Sequence, residues 1–337
     1  MGHPVKGFSS GCLFAAVHAL AVLAAAPPLS AASWEDEFVP RGVVHSRVAV
    51  RSERLDGALD KQGDPQTLKH YLIRDEAVRD QVTGEITRQI TRYDFSFGYG
   101  LSDSWNLALN LPFLQLEQTS DLATTSPDTD IATLLAELQT ESRSGLGELR
   151  LTSLHRPVFS DRNGFIWGYG AEIPSGANTA VYVDNTTFDV SNQTGAAFIF
   201  LHYAHFPALR RSRLDLRVEV KMGAPGSVTV AGGTQATLRS GNQLRVNLGW
   251  RQEFGDFGAE LEMELDASRP SSLDGELKGD AERGVRARLH LDYGNLAELE
   301  TGPVGFPFRF GLQIQTLISG ANVPDGQIVS AAFQFFF

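Results

Sequence analysis

The chain has 337 residues, of which 42% are hydrophobic and 20% charged, with a net charge of −11. That apolar content is too high for disorder, and the surplus of acid argues against a nucleic-acid partner. Beyond the amino end, no run of about 18 uncharged apolar residues could cross a membrane as a helix.

The amino end has the order of an export signal. Lys6 precedes an apolar stretch from Cys12 to Ala26, followed by Pro27, Pro28 and the small residues SAAS. Cleavage after Ala32 fits the small-x-small rule, so residues 1–32 are expected to be a signal peptide and 33–337 the mature domain. Cys12 stands before the apolar core rather than after it, so no lipid anchor is expected. Removal of the segment takes away the only cysteine and one lysine, leaving 40 acids against 28 bases. Disulfides and thiolate metal sites are thereby excluded. The stretch from Ser33 to Gly42 is too short to couple the protein to an inner-membrane motor.

After Gly42, two-residue alternation recurs in segments close to the 9–11 residues of a membrane strand. Strands are expected at about 43–51, 86–99, 105–118, 146–157, 165–173, 196–206, 213–222, 243–253, 259–267, 283–293, 306–318 and 328–337. In WNLALNLPFL, Trp105, Leu107, Leu109, Leu111 and Phe113 face one way while Asn106, Ala108 and Asn110 face the other. RLDLRVEVKM sets Leu214, Leu216, Val218, Val220 and Met222 against Asp215, Arg217, Glu219 and Lys221. QLRVNLGWRQ, AELEMELDA and GVRARLHLDY repeat the pattern.

Alternation alone also describes a soluble sheet with one wet face. The connections favour a membrane barrel, because GLSDS, SDRNG, PALRRS and FGDFG are tight while 119–145, 175–195, 223–242 and 268–282 are long. Short turns on one rim and long loops on the other are the outer-membrane pattern. The expected fold is thus an all-β, antiparallel up-and-down transmembrane barrel of twelve strands. An even count also brings both ends to the periplasm. Should LKHYLIRD, near 68–75, enter the wall with one further strand, the number becomes fourteen. Ile131, Leu134, Leu135 and Leu138 have helical spacing, so one short amphipathic helix is expected over 129–141, folded into the mouth or packed on the rim.

The last strand, IVSAAFQFFF, places Val329, Ala331, Phe333, Phe335 and Phe337 on one face. In lipid those rings are satisfied at an aromatic girdle. Phe333, Phe335 and Phe337 also look like the terminal-aromatic signal read by the outer-membrane assembly machinery, an expected partner alongside outer-membrane lipid.

Three further groups are candidates for function. Glu260, Glu262, Glu264 and Asp266 lie between Arg245 and Arg251 on the preceding strand and Arg286 and Arg288 on the following one, an expected lumen charge ladder. Opposite charges on neighbouring strands stabilise pairing, and lumen charge can also select permeants; both roles stay open. In AAFIFLHYAHF both faces are apolar. With Tyr203 toward lipid, Phe198 and Phe200 point inward as a candidate apolar ligand site with His202 as its polar handle, or they are simply core packing. His70 and Asp75 in the first outer loop are the one arrangement resembling a rim enzyme, but none of the six mature histidines stands in an H-x-S arrangement. No phosphate loop, dinucleotide fingerprint or metal cluster occurs, so no enzyme, cofactor or metal is expected.

The stretch from Tyr93 to Gly176 resembles the phenol meta-pathway family of bacterial outer-membrane transporters. The matching pieces are YGLSDSWNLALNLPF, SGLGELRL at 144–151 and YGAEIPSG at 169–176, in the family's order. Glu148 and Ser175 stand where the family more often has Asp and Thr. The resemblance implies a barrel that passes small hydrophobic or aromatic compounds. The expected function is therefore passive uptake of such molecules across the outer membrane of a Gram-negative bacterium. The alternatives are a non-transporting, surface-binding barrel and a rim enzyme.

Overall fold

The computed structural model describes residues 38–73, 76–139, 142–160, 162–175, 181–183, 186–187, 194–208, 212–230, 234–278, 280–294 and 308–336. The expected signal peptide, Asp75 and Phe337 lie outside them.

Twelve long antiparallel strands form the wall: β1 (Val44–Leu59), β2 (Ile86–Ser102), β3 (Trp105–Ser120), β4 (Glu148–Phe159), β5 (Asn163–Pro174), β6 (Ala196–Ala208), β7 (Ser212–Gly223), β8 (Gln243–Phe254), β9 (Phe257–Ser268), β10 (Glu282–Gly294), β11 (Phe308–Ala321) and β12 (Val323–Phe336). Each pairs with its sequence neighbour, and β1 pairs with both β2 and β12. The ring is closed, which removes every long sheet edge and lets the backbone cross lipid with its hydrogen bonds satisfied. Two short strands, Pro65–Thr67 and Ser142–Leu146, add to β1 and β3.

The alternation sorts the side chains as the sequence predicts. Leu107, Leu216, Leu248, Leu261, Leu289 and Val329 are all exposed on the outer face. Such a continuous apolar belt on a closed barrel has lipid as its solvent. Toward the periplasmic end the belt turns aromatic: His155 stacks on Trp105 and Trp167, with the His155–Trp167 centroids 4.5 Å apart. Phe333 stacks on Phe308 at 5.6 Å.

Several strands outrun the sequence estimate. β1 continues eight residues past 51, to Leu59, because its outward positions there, Ser52, Arg54 and Asp56, leave the apolar belt while the ladder to β12 goes on. The loop-length rule fails twice: the periplasmic connection between β10 and β11, residues 295–307, is long, and one outer connection is very short. The outer connection between β11 and β12 is the single residue Asn322, at φ 52°, a left-handed conformation that asparagine tolerates.

The outer loops carry their own structure. The first outer loop, whose LKHYLIRD is the extra strand of the fourteen-strand alternative, holds α1 (Leu68–Leu72) and a single turn α2 (Glu76–Arg79), while the helix expected over 129–141 is α3 (Thr129–Leu138). LKHYL is helical rather than extended, because Thr67 caps its first turn and Leu68 and Leu72 share one buried face. Further loop strands, Pro225–Val230, Gln235–Arg239, Ser271–Leu273 and Glu276–Lys278 among them, form a small separate sheet.

Candidate functional site

The lumen is divided between two kinds of chemistry. On β7 to β10 most inward positions are charged, because in stretches such as RVEVK and ELEMELD every second residue is ionic, and β11 adds Arg309. Arg288 reaches Glu262 at 2.9 Å and Glu264 at 3.0 Å. Arg251 holds Asp292 in a two-pronged contact of 2.6 and 2.9 Å, a geometry suited to the planar guanidinium. Glu260 stands 3.8 Å from both Arg251 and Arg213. Arg245 and Arg286 each approach Glu264 at 3.8 Å, and Arg286 also reaches Asp266 at 4.0 Å. The eight residues read from sequence as a ladder are therefore brought together on three adjacent strands.

The lattice is wider than those eight. Asp215 accepts from Arg213 at 2.5 Å and contacts His202 at 2.8 Å. Arg150 on β4 reaches past two strands to Glu219 on β7 at 2.8 Å and also meets Glu172 at 3.1 Å. Arg309 joins Asp292 at 3.6 Å. The Arg150–Glu219 pair could not be matched from sequence, because β4 and β7 are not neighbours in the wall and meet only across the barrel's curve, whereas Arg150 and Glu172 stand opposite each other in the β4–β5 ladder. Buried ions of this kind cost desolvation, which mutual pairing offsets. Among these ions lies a polar cavity of about 70 Å³ beside Arg47, Asp215, Arg217, Asn247, Glu262 and His290.

The adjoining stretch of wall around β6 is apolar. Phe198 and Phe200 point inward and pack with Phe38, Leu154 and Ile166. Each ring carries a guanidinium on its face: Arg150 lies 3.8 Å from the Phe198 centroid and Arg217 lies 4.4 Å from that of Phe200. Gly168 makes room, since a Cβ there would stand 2.5 Å from the Phe200 ring. His202 turns to Asp215 on β7. The three residues of the candidate apolar site thus sit together, with the two rings filled in by neighbours and His202 tied into the ionic lattice.

Both ends of the lumen are covered. At the outer mouth, Leu68, Leu72, Ile73, Val82, Ile131, Leu135 and Leu138 from the loops pack on Leu55 of β1 and Ile86 of β2. Gln118 on β3 donates to the Leu138 carbonyl, fixing the end of α3 to the inner wall. The Tyr71 hydroxyl crosses the mouth to Glu282 of β10 at 2.8 Å. This stopper places α3 in the mouth rather than on the rim. His70 sits on α1, its Nδ1 2.6 Å from the Thr67 hydroxyl. Burial, then the positive charges of Arg79 and Lys69, hold its pKa below the ordinary 6.5.

At the periplasmic end, residues 38–43 enter the barrel. Phe38 joins the Phe198–Phe200 cluster, Val39 and Val43 pack on Phe336, and Arg156 lies 4.3 Å over the Phe38 ring. Gly100 leaves the space that the Pro40 carbonyl occupies. This strap has six residues and no periodicity, so its place could not be read from the sequence; of the inward glycines in FGYG, Gly100 meets the strap while Gly98 makes room for His45 of β1.

No family model and no curated relative matches the chain. Among solved structures, an outer membrane channel from Pseudomonas putida F1 superposes with a TM-score of 0.65 at 13% identity, over 91% of this chain and all of that one. The chain is a bacterial outer-membrane β-barrel. A mutant of the TodX monoaromatic hydrocarbon channel gives a TM-score of 0.45 at 10% identity, over 94% of each chain. A FadL homologue from Pseudomonas aeruginosa gives 0.40 at 9% identity, over 89% of this chain and 90% of that one. These two share barrel architecture only loosely.

Proposed function

We propose that the protein is a gated outer-membrane channel for passive passage of small molecules, with apolar or aromatic compounds as its permeants. The observation that carries this reading is the nature of the closures. The wall is one continuous ladder, while the outer obstruction is a loop assembly held largely by side-chain packing and the periplasmic one is a short strap hydrogen-bonded to Gly100 of β2 and packed on Phe336. Apolar surface lies under each closure, and the Arg150–Phe198 and Arg217–Phe200 pairs between them offer cationic faces to a flat ring. The ionic lattice is largely self-neutralising, so it sets up no field of one sign. The sequence resemblance to the phenol meta-pathway transporters points the same way.

A second reading has support from the same lumen. Buried ion pairs and covered ends would also suit a barrel that transports nothing and serves as a surface-binding protein. Single-channel recording of the refolded protein in a planar bilayer separates the two. The proposal expects discrete openings that small aromatic compounds block; a folded barrel that stays silent would favour the closed one.

A further inference from the structure

We propose that the lipid-facing wall carries a binding site for a phosphorylated glycolipid of the outer leaflet, built where the first outer loop leans over β8 to β11. This site is outside the lumen and rests on the membrane placement alone, not on the channel reading.

A notch of about 390 Å³ lies on the outside of the barrel at its outer rim. Its floor is Leu244, Val246, Leu265 and Val285, the outermost lipid-facing residues of β8, β9 and β10. Lys61 and Arg283 line its upper part, and both are exposed. Neither has an ion-pair partner among the described residues. Asp266, the one acid in the lining, is engaged by Arg286 on the lumen side.

The turn that carries Lys61 has a fixed backbone. The Asp60 carboxylate accepts from the amides of Gln62 at 2.8 Å and Asp64 at 2.9 Å, and the Asn322 amide donates to the Asp60 carbonyl at 3.0 Å. Gly63 sits close enough to β11 that a Cβ would stand 3.0 Å from the Gly320 carbonyl. The turn is therefore docked on the rim, with its cation beside the notch.

Two unpaired cations above an apolar floor, at the level where headgroups meet acyl chains, match one kind of amphiphile. Phosphate accepts charge-assisted hydrogen bonds from both side chains, and an acyl chain covers the leucines below. In the outer leaflet the abundant lipid with that chemistry is the phosphorylated, multiply acylated glucosamine lipid. The bulge between Val285 and Arg286, which leaves Ile318 unpaired on β11, deepens the notch without opening the wall.

The test uses the full mature chain in nonionic detergent with lipid A, its dephosphorylated form, phosphatidylglycerol and inorganic phosphate, read by native mass spectrometry. Lipid A is expected to be retained on the wild type. Lys61→Gln with Arg283→Gln should bind it roughly tenfold or more weakly, the scale of one lost charge-assisted hydrogen bond. Lys61→Arg with Arg283→Lys should keep it, and Leu265→Trp, which fills the floor, should lose it. Dephosphorylated lipid and phosphate alone should not be retained. Equal retention by wild type and the Gln pair would overturn the proposal, as would phosphatidylglycerol binding as well as lipid A. Migration of each variant as a folded barrel on an unheated gel guards against misfolding.

Discussion

The two halves of the interior close the lumen by opposite means. Along β7 to β11, space is filled by ions that pair within a strand, with the next strand, or with the one beyond, as Arg251 of β8 does with Asp292 of β10, all on strands held in ladder register. Around β1 to β3, it is filled by leucines brought in by loops, with partners up to eighty residues away in sequence and no register to guide them. The first closure is part of the wall and moves only with it. The second is an added piece, and the proposed gating requires it to leave while the wall stays intact.

The largest effect should come from breaking the ionic half. Arg288→Met would leave Glu262 and Glu264 short of a partner in a dry site, at a cost of about 3–5 kcal/mol. A lowered denaturant midpoint would register it, and adding Glu262→Leu should recover part of the loss. Unchanged stability in the single variant would mean that water reaches these carboxylates freely.

Leu138→Ala tests the apolar half. Removing this buried side chain should weaken stopper docking by about 2–5 kcal/mol, seen as faster hydrogen exchange in 129–138. The wall strands should keep their protection. If they lose it too, the contrast between fixed and removable closures fails.

Tyr71→Phe, smaller again, deletes the hydrogen bond to Glu282. A loss of about 0.5–1.5 kcal/mol in loop docking is expected, seen as more frequent openings with unchanged current amplitude. The smallest effect is one of pH. Because His70 binds protons less readily in the docked loop than when free, docking is strongest above the ordinary pKa of 6.5 and weakens as pH falls below it. Acidification from pH 7.5 to 5.5 should raise opening slightly, and His70→Gln should flatten that response.

The same contrast explains what the sequence could and could not show. All twelve wall strands were legible, because outward leucines such as Leu214 to Val220 must alternate with inward ions in any half-lipid strand. The ladder of β8, β9 and β10 was legible too, since adjacent hairpin strands place Arg245, Glu264 and Arg286 side by side. Of the stopper, α3 was legible from the spacing of Ile131, Leu135 and Leu138, but α1 was not, because a five-residue helix such as LKHYL is fixed by Leu55 and Ile86 beneath it rather than by its own pattern. Nor was Arg150, whose partner Glu219 lies 69 positions further on.

The most direct test of a removable outer closure is to lock it. Tyr71→Cys with Glu282→Cys places two thiols on either side of the mouth in a mature chain expected to have no other, and a cleavable bifunctional thiol reagent can join them. Single-channel recording of one preparation before and after cleavage would then compare the locked and free loop. The account predicts a silent or nearly silent barrel when locked and discrete openings once the link is cut. Equal currents in both states would contradict it.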